Sequence, residues 1–224
     1  MARPHGADPV ETKRRVLHAA SDLFARHGEG NVSVRAIASA ADISVATVNL
    51  YFGSKKGLYR ECVAQAYQGL DNLEQFQTLI AEANLSSPTF IHQCIHMVYI
   101  YIRQNPNASR LMMRQILDEG EIEEHSWTNH TGPLLEKALF LLQSQLPLST
   151  EEARLRLQTF AHSMVRYAVS NHDHLRKVLN RGDLQDAAVD ALIVKHLARM
   201  AATLFLPTIP EDFETIISMK GETV

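Results

Sequence analysis

Residues 33–55, SVRAIASAADISVATVNLYFGSK, constrain the fold of this chain more than any other stretch. Ser33 is suited to cap a helix, because its hydroxyl can accept a hydrogen bond from an orphan backbone N–H one turn in. Val34-Arg35-Ala36-Ile37-Ala38 follows, with Ile37 inward and Arg35 outward. The small residues Ala38, Ala40 and Ala41 let another helix approach closely. Asp42-Ile43-Ser44 then predicts a tight turn, since Asp tolerates left-handed backbone and Ser44 offers a second cap. A second short helix is expected over Val45 to Tyr51. Two short helices joined by such a turn form a helix-turn-helix, whose second helix lies in the DNA major groove.

The surrounding residues extend the pattern. Arg15-Val16-Leu17-x-Ala19-Ala20-x-x-Leu23-Phe24-x-x-x-Gly28 precedes it, and Ser33-Val34-Arg35-x-Ile37-Ala38 and Ser44-x-Ala46-Thr47-Val48 lie within it. Tyr51-Phe52-x-Ser54-Lys55-x-x-Leu58 closes it. Over residues 12–60 the chain resembles the DNA-binding domain of the tetracycline-repressor (TetR) family of one-component regulators. Two positions depart from the family pattern. Asp42 stands where Gly is usual, and Asn49-Leu50 replaces the commoner Tyr and aromatic or His pair. Operator sequence therefore cannot be carried over from better-known members. The resemblance implies an all-α fold: an N-terminal three-helix DNA-binding domain, then a C-terminal helical domain that binds ligand and dimerises.

Composition allows this. The 224 residues are 46% hydrophobic and 21% charged, ordinary for a globular protein with a proper core. No stretch reaches the roughly 18 consecutive apolar residues of a membrane span. The N-terminus has no apolar run after its basic residues, so no secretory signal is expected. Cys62 and Cys94 imply no disulfide framework, and a reducing cytoplasm fits. The net charge of −3 is unevenly spread: residues 1–60 carry nine Lys/Arg against five Asp/Glu, leaving the acidic balance to the remainder. A basic head on an acidic body suits docking of one end on phosphates.

In chain order, residues 1–8 read as a disordered arm containing Arg3, 9–56 as the DNA-binding domain, 57–207 as the ligand-binding and dimerisation domain, and 208–224 as a tail. The first helix is expected over 9–28, with Asp8 as cap and Pro9 in its first turn; Gly28 ends it. Ser54 is expected to cap a fourth helix running toward residue 80. Ser87 and Pro88 start another, to about Gln104, with Ile91, Ile95, Tyr99 and Ile102 inward. Asn105-Pro106-Asn107 stops it, and a shorter helix runs from Ala108 to Gly120. Residues 120–130, GEIEEHSWTNH, read as irregular. Helices are expected near 131–146, from Ser149 to about Ser170, and from Asp183 to about Leu206, with a polar link over Asn171–Gly182. Nothing in the pattern predicts a sheet.

For DNA, Asn49 is the sharpest candidate, because its amide matches the donor and acceptor of adenine in the major groove. Arg35 suits guanine or a phosphate, and Val45 and Ala46 suit thymine methyls. Ser33, Ser44, Thr47, Tyr51 and Lys55 read as phosphate positioners, and Lys56 as a solvated lysine. The resemblance also implies a small-molecule effector bound among the body helices. There the candidate contacts are His92, His96, Tyr99, Arg103, Met113, Trp127, His162, Arg166 and Tyr167, with Met112 and His130 beside them. It further implies a homodimer, paired through the last two long helices, where Phe160, Met164, Leu197, Met200 and Leu204 form broad apolar faces. No cofactor is expected. His92 and His96 have metal-ligand spacing, and His172 and His174 form a second local cluster, but the sequence has neither the Glu-x-x-His pair of di-iron bundles nor a His-Glu-x-x-His. The rival reading is an all-helical metal- or cofactor-dependent enzyme. It lacks a Gly-rich phosphate loop, a Gly-x-Ser-x-Gly elbow and paired metal carboxylates.

Overall fold

The structure, a computed structural model, describes residues 8–71, 87–206, 212, 213 and 215. The arm with Arg3, the expected run of the fourth helix toward residue 80 and most of the tail lie outside the described residues. Everything described is helix, turn or loop, with no strand among the described residues. The chain divides into two compact units, residues 1–72 with 107–131, and residues 73–106 with 132–224.

The first unit opens with α1 (Pro9–His27). Asp8 caps it, its Oδ1 accepting from Val10 N–H at 2.9 Å, and Pro9 occupies the first turn, where its missing N–H costs nothing. Gly28 stops it at φ +78°, a conformation that suits glycine. Next come α2 (Val34–Ala40) and α3 (Val45–Phe52). Ser33 Oγ accepts from Ala36 N–H at 3.1 Å, and Ser44 Oγ from Thr47 N–H at 3.1 Å. Between them Asp42 takes φ +53°, and Ile43 N–H closes back on Ala38 O at 3.0 Å. The tight turn read from Asp42-Ile43-Ser44 is thus present, with Asp in the place that glycine would suit best. The fourth helix, α4 (Lys55–Asp71), is capped by Ser54, whose Oγ accepts from Gly57 N–H at 3.0 Å.

Val16, Leu17, Phe24, Ile37, Val48, Leu58, Cys62 and Val63 form one core, and Leu111 joins it from another part of the chain. Leu111 lies on α6 (Pro106–Glu119), which belongs to this unit from residue 107 on. Arg114 fastens that helix to α1. Its Nε donates to Ala25 O at 3.0 Å and its Nη2 to Arg26 O at 2.9 Å, satisfying carbonyls that the end of α1 leaves free.

The second unit packs α5 (Pro88–Gln104), α8 (Gly132–Gln145), α9 (Thr150–Ala168), α10 (His172–Leu179) and α11 (Asp186–Phe205). Its core runs through Ile91, Ile95, Tyr99, Ile102, Met164, Leu175, Val189, Ile193, Leu197 and Ala201, and includes Phe213 from the tail.

Three expectations are corrected. Residues 120–130 are not irregular throughout: α7 (Glu124–Ser126) passes into a π turn, Trp127–Thr131, and then into α8. Pro133 accounts for the wider turn, because in an ordinary α-helix its ring would strike the carbonyl of residue 129. The expected polar link after Asn171 contains α10, capped by Asn171 Oδ1 accepting from His174 N–H at 2.7 Å and ended by Asn180 at φ +52°. The last helix begins at Asp186 rather than Asp183, whose carboxylate is held by Arg181 at 2.8 Å. That guanidinium lowers the Asp183 pKa to about 2.

Candidate nucleic-acid interface

The surface of α3 is set by which of its eight residues the core takes. Val48 is buried, and Val45 and Phe52 pack partly against the core. Ala46, Asn49 and Leu50 remain exposed, at the i, i+3 and i+4 positions of one face. Leu50 is 78% exposed, and Tyr51 is also exposed, while Phe52 packs against the core.

The two hydroxyls of the turn are mutually engaged: Ser44 Oγ lies 2.8 Å from Thr47 Oγ1 while also capping α3. Ser33 is exposed and occupied as the α2 cap. Lys55 is not free. Its ammonium donates to Glu29 O at 2.7 Å and lies 3.3 Å from Glu29 Oε1, tying the start of α4 to the turn after α1. Most other cations of this unit are similarly paired: Lys13 with Glu61, Arg14 with Glu11, Arg26 with Asp22 and Arg60 with Glu123. Arg15, Arg35 and Lys56 have no ion-pair partner among the described residues, and Arg35 and Lys56 are exposed. Sequence reasoning placed Arg35 correctly on the surface. It read Lys56 as solvated, and the residue is exposed; it noted Leu50 only as a departure from the family pattern, and the solvent-facing position of Leu50 singles it out.

The expected effector residues fall into two groups in different compact units. Met113 and Trp127 lie in the first unit, with Met112 and His130. His130 stacks on Tyr67 of α4, ring centroids 5.1 Å apart and planes 3° from parallel. Burial raises the Tyr67 phenol pKa, and the Thr131 hydroxyl opposes that rise although no well-aligned hydrogen bond reaches it. Gln115 is buried with its Oε1 lacking a hydrogen-bond partner.

His92, His96, Tyr99, Arg103, His162, Arg166 and Tyr167 lie in the second unit. His92 and His96 stack with centroids 6.3 Å apart, and no metal-holding cluster of three His, Cys, Asp or Glu occurs among the described residues. Tyr99 and Arg103 are committed to an internal network. The Tyr99 hydroxyl donates to Asp190 Oδ1 at 2.8 Å, and Arg103 Nε lies 3.2 Å from the same oxygen. Arg166 is exposed and bonded to Ser170 and His174, His162 lies 3.4 Å from Gln158, and Tyr167 meets His196 edge to face.

Known proteins resemble both the sequence and the fold. Residues 16–62 match the family described as bacterial regulatory proteins, tetR family. The chain is 30% identical over 102 residues to the probable HTH-type transcriptional regulator YttP of Bacillus subtilis, covering 46% of this chain and 47% of that one. It therefore spans about half the length of that relative. It is 28% identical over 170 residues to the putative mycofactocin biosynthesis transcriptional regulator MftR of Mycobacterium tuberculosis, covering 73% of this chain and 79% of that one. Its fold matches a TetR-like regulator from Rhodococcus with a TM-score of 0.60, at 20% identity over 88% of this chain and 99% of the other. These matches set aside the enzyme alternative, because what the chain shares with them is a regulator's domain and fold. The capped helix pair, its outward α3 face and these likenesses together make residues 16–62 a domain similar to that of the TetR family of bacterial regulatory proteins, on a chain whose fold is TetR-like.

Proposed function

We propose that the chain is a one-component transcription regulator, a repressor, that binds a palindromic operator as a homodimer and releases it when a small molecule binds. The observation that carries this reading is the outward face of α3. Ala46, Asn49 and Leu50 face solvent on the second helix of a fully capped helix-turn-helix, beside the unpaired Arg35 and Lys56. Asn49 reads a base edge, and Arg35 and Lys56 hold phosphates. Ser33 and Ser44 orient the helices as caps, and Lys55 braces the start of α4. Double-stranded DNA in the cytoplasm is the partner; no helix among the described residues is long and apolar enough to cross a membrane.

Dimerisation uses α9 and α11, consistent with the solvent-facing stripe Leu192, His196, Arg199 and Thr203 on α11. Met200 is a poorer anchor than expected, because it packs on the core of its own unit. Support for an effector comes from the first unit, where Gln115 Oε1 is a buried acceptor without a donor. An effector acts by binding the released form more tightly than the DNA-bound form.

Capture of genomic fragments by the full-length protein at two salt concentrations tests the reading. One recovered palindromic site, with affinity falling steeply as salt rises, is the expected result. Recovery of no preferred sequence at either concentration would overturn it. Asn49→Ala is expected to lose about 1–3 kcal/mol at one base position, whereas loss spread evenly over all sequences would reassign Asn49 to the backbone.

A further inference from the structure

We propose that Leu50 reads the 5-methyl group of thymine, and that the base pairs under α3 are A·T pairs. This rests on the regulator reading above and adds the class of sequence recognised. An isolated exposed leucine on a protein surface is ordinary. Leu50 is not isolated: it lies one turn beyond Ala46 and next to Asn49, on the face opposite the buried Val48. At 78% it is as exposed as any large apolar residue of the described chain.

The chemistry of this face is narrow. The eight residues of α3, VATVNLYF, include no Lys, Arg, His, Asp or Glu. Guanine presents two acceptors in the major groove, which Arg or Lys matches bidentately, and cytosine presents a donor, which Asp or Glu matches. Neither partner exists on α3. Adenine presents an acceptor and a donor that the Asn49 amide matches. Thymine presents the only apolar group in the groove, its methyl. The hydroxyls of Ser44 and Thr47 share one hydrogen bond at 2.8 Å, and a hydroxyl can bond either kind of pair without choosing between them. The positive charge needed for phosphates sits off this face, on Arg35 of α2 and Lys56 of α4. A cationic surround therefore presents an amide and an aliphatic side chain to the base edges.

The test uses the full-length protein and a random-sequence duplex library, selected by binding. The enriched duplex is then made with thymine or with deoxyuridine, which lacks only the methyl, and titrated with wild type and Leu50→Ala. Wild type is expected to bind the uracil duplex about fourfold more weakly per half-site, the effect of burying one methyl. Leu50→Ala is expected to bind the thymine duplex more weakly and to show no difference between thymine and uracil. Leu50 touches no core, so the variant should fold as wild type, which its circular dichroism and mass check. Equal binding of both duplexes by wild type, or enriched half-sites with G·C pairs under α3, would overturn the inference while leaving the regulator reading standing. Enrichment of no sequence at all would overturn both.

Discussion

Asp190→Ala is the most informative perturbation of the second unit. Asp190 Oδ1 accepts from the Tyr99 hydroxyl at 2.8 Å and pairs with Arg103 Nε at 3.2 Å and His172 Nε2 at 3.1 Å. The side chains of Arg103 and Asp190 are only 14% and 19% exposed. Arg103 keeps two other acceptors, Ala168 O at 3.2 Å and Ser170 O at 2.9 Å. Breaking a buried ion pair from one side costs roughly 3–5 kcal/mol. The two remaining carbonyls and the residual exposure place Asp190→Ala at the low end, about 3 kcal/mol. Tyr99→Phe removes one hydrogen bond to a charged acceptor that retains its other partners, so about 1.5 kcal/mol is expected. The double variant should cost less than the sum, because the phenol has nothing to lose once the carboxylate is gone. Chemical denaturation followed by far-ultraviolet circular dichroism reads these values, at one fixed protein concentration for all variants. Glu136→Ala, which removes the more exposed pair with Arg154, is the control, at about 1 kcal/mol or less. An Asp190→Ala midpoint no lower than that of the control would refute the network argument.

Alkaline pH should destabilise the fold. Burial raises the thiols of Cys62 and Cys94 to about 11 and the Tyr59 phenol to about 12, and raises the Tyr99 phenol as well. Each raised pKa contributes stability in full below the unfolded value and loses it as pH climbs to the folded one. Melting temperature should therefore hold to about pH 8 and fall above it, the thiols contributing first and the phenols from about pH 10. A flat profile to pH 11 would contradict the burial of these groups. Ser44→Ala should cost about 1 kcal/mol of thermal stability through loss of the α3 cap. Ser44→Asp should keep the cap, so a normal melting point with lost DNA binding would place Ser44 beside a phosphate, and retained binding would leave it a cap only. Leu192→Glu is expected to yield folded monomers by light scattering, and an unchanged dimer mass would move the interface off this face of α11. Arg114→Ala should lower the midpoint read by Trp127 fluorescence by about 2 kcal/mol, from two charge-assisted hydrogen bonds at a partly exposed site, and Arg114→Lys by less.

The helix-turn-helix was legible because its determinants are local. Asp8, Ser33, Ser44 and Ser54 each cap a helix within three residues of themselves, and Asp42 turns the chain by its own φ. The same local signals were present at Asn171 and Asn180, which cap and end α10. They were overlooked because that helix is only eight residues long and Leu175, Val178 and Leu179 are its only apolar side chains, although these three share one face. Exposure was less legible than helicity. Lys55 occupies a position suited to a phosphate, yet Glu29 holds it across 26 residues of sequence.

The association of residues 107–131 with the DNA-binding helices was not legible at all, because it rests on contacts that span some sixty to ninety residues. Arg114 reaches Ala25 O, Asn107 reaches Asp22 at 3.2 Å, and Arg60 of α4 pairs with Glu123 at 2.6 Å. No periodicity within α6 announces such partners; its pattern says only that one face is apolar. Yet these bonds decide what moves with the reading head. A body helix fastened by a guanidinium to the end of α1, and by Leu111 to the core beneath α3, cannot shift without disturbing the helices that present Asn49 and Leu50. Because Arg114 holds the backbone carbonyls of Ala25 and Arg26 rather than their side chains, this attachment can persist through substitutions at those two positions of α1.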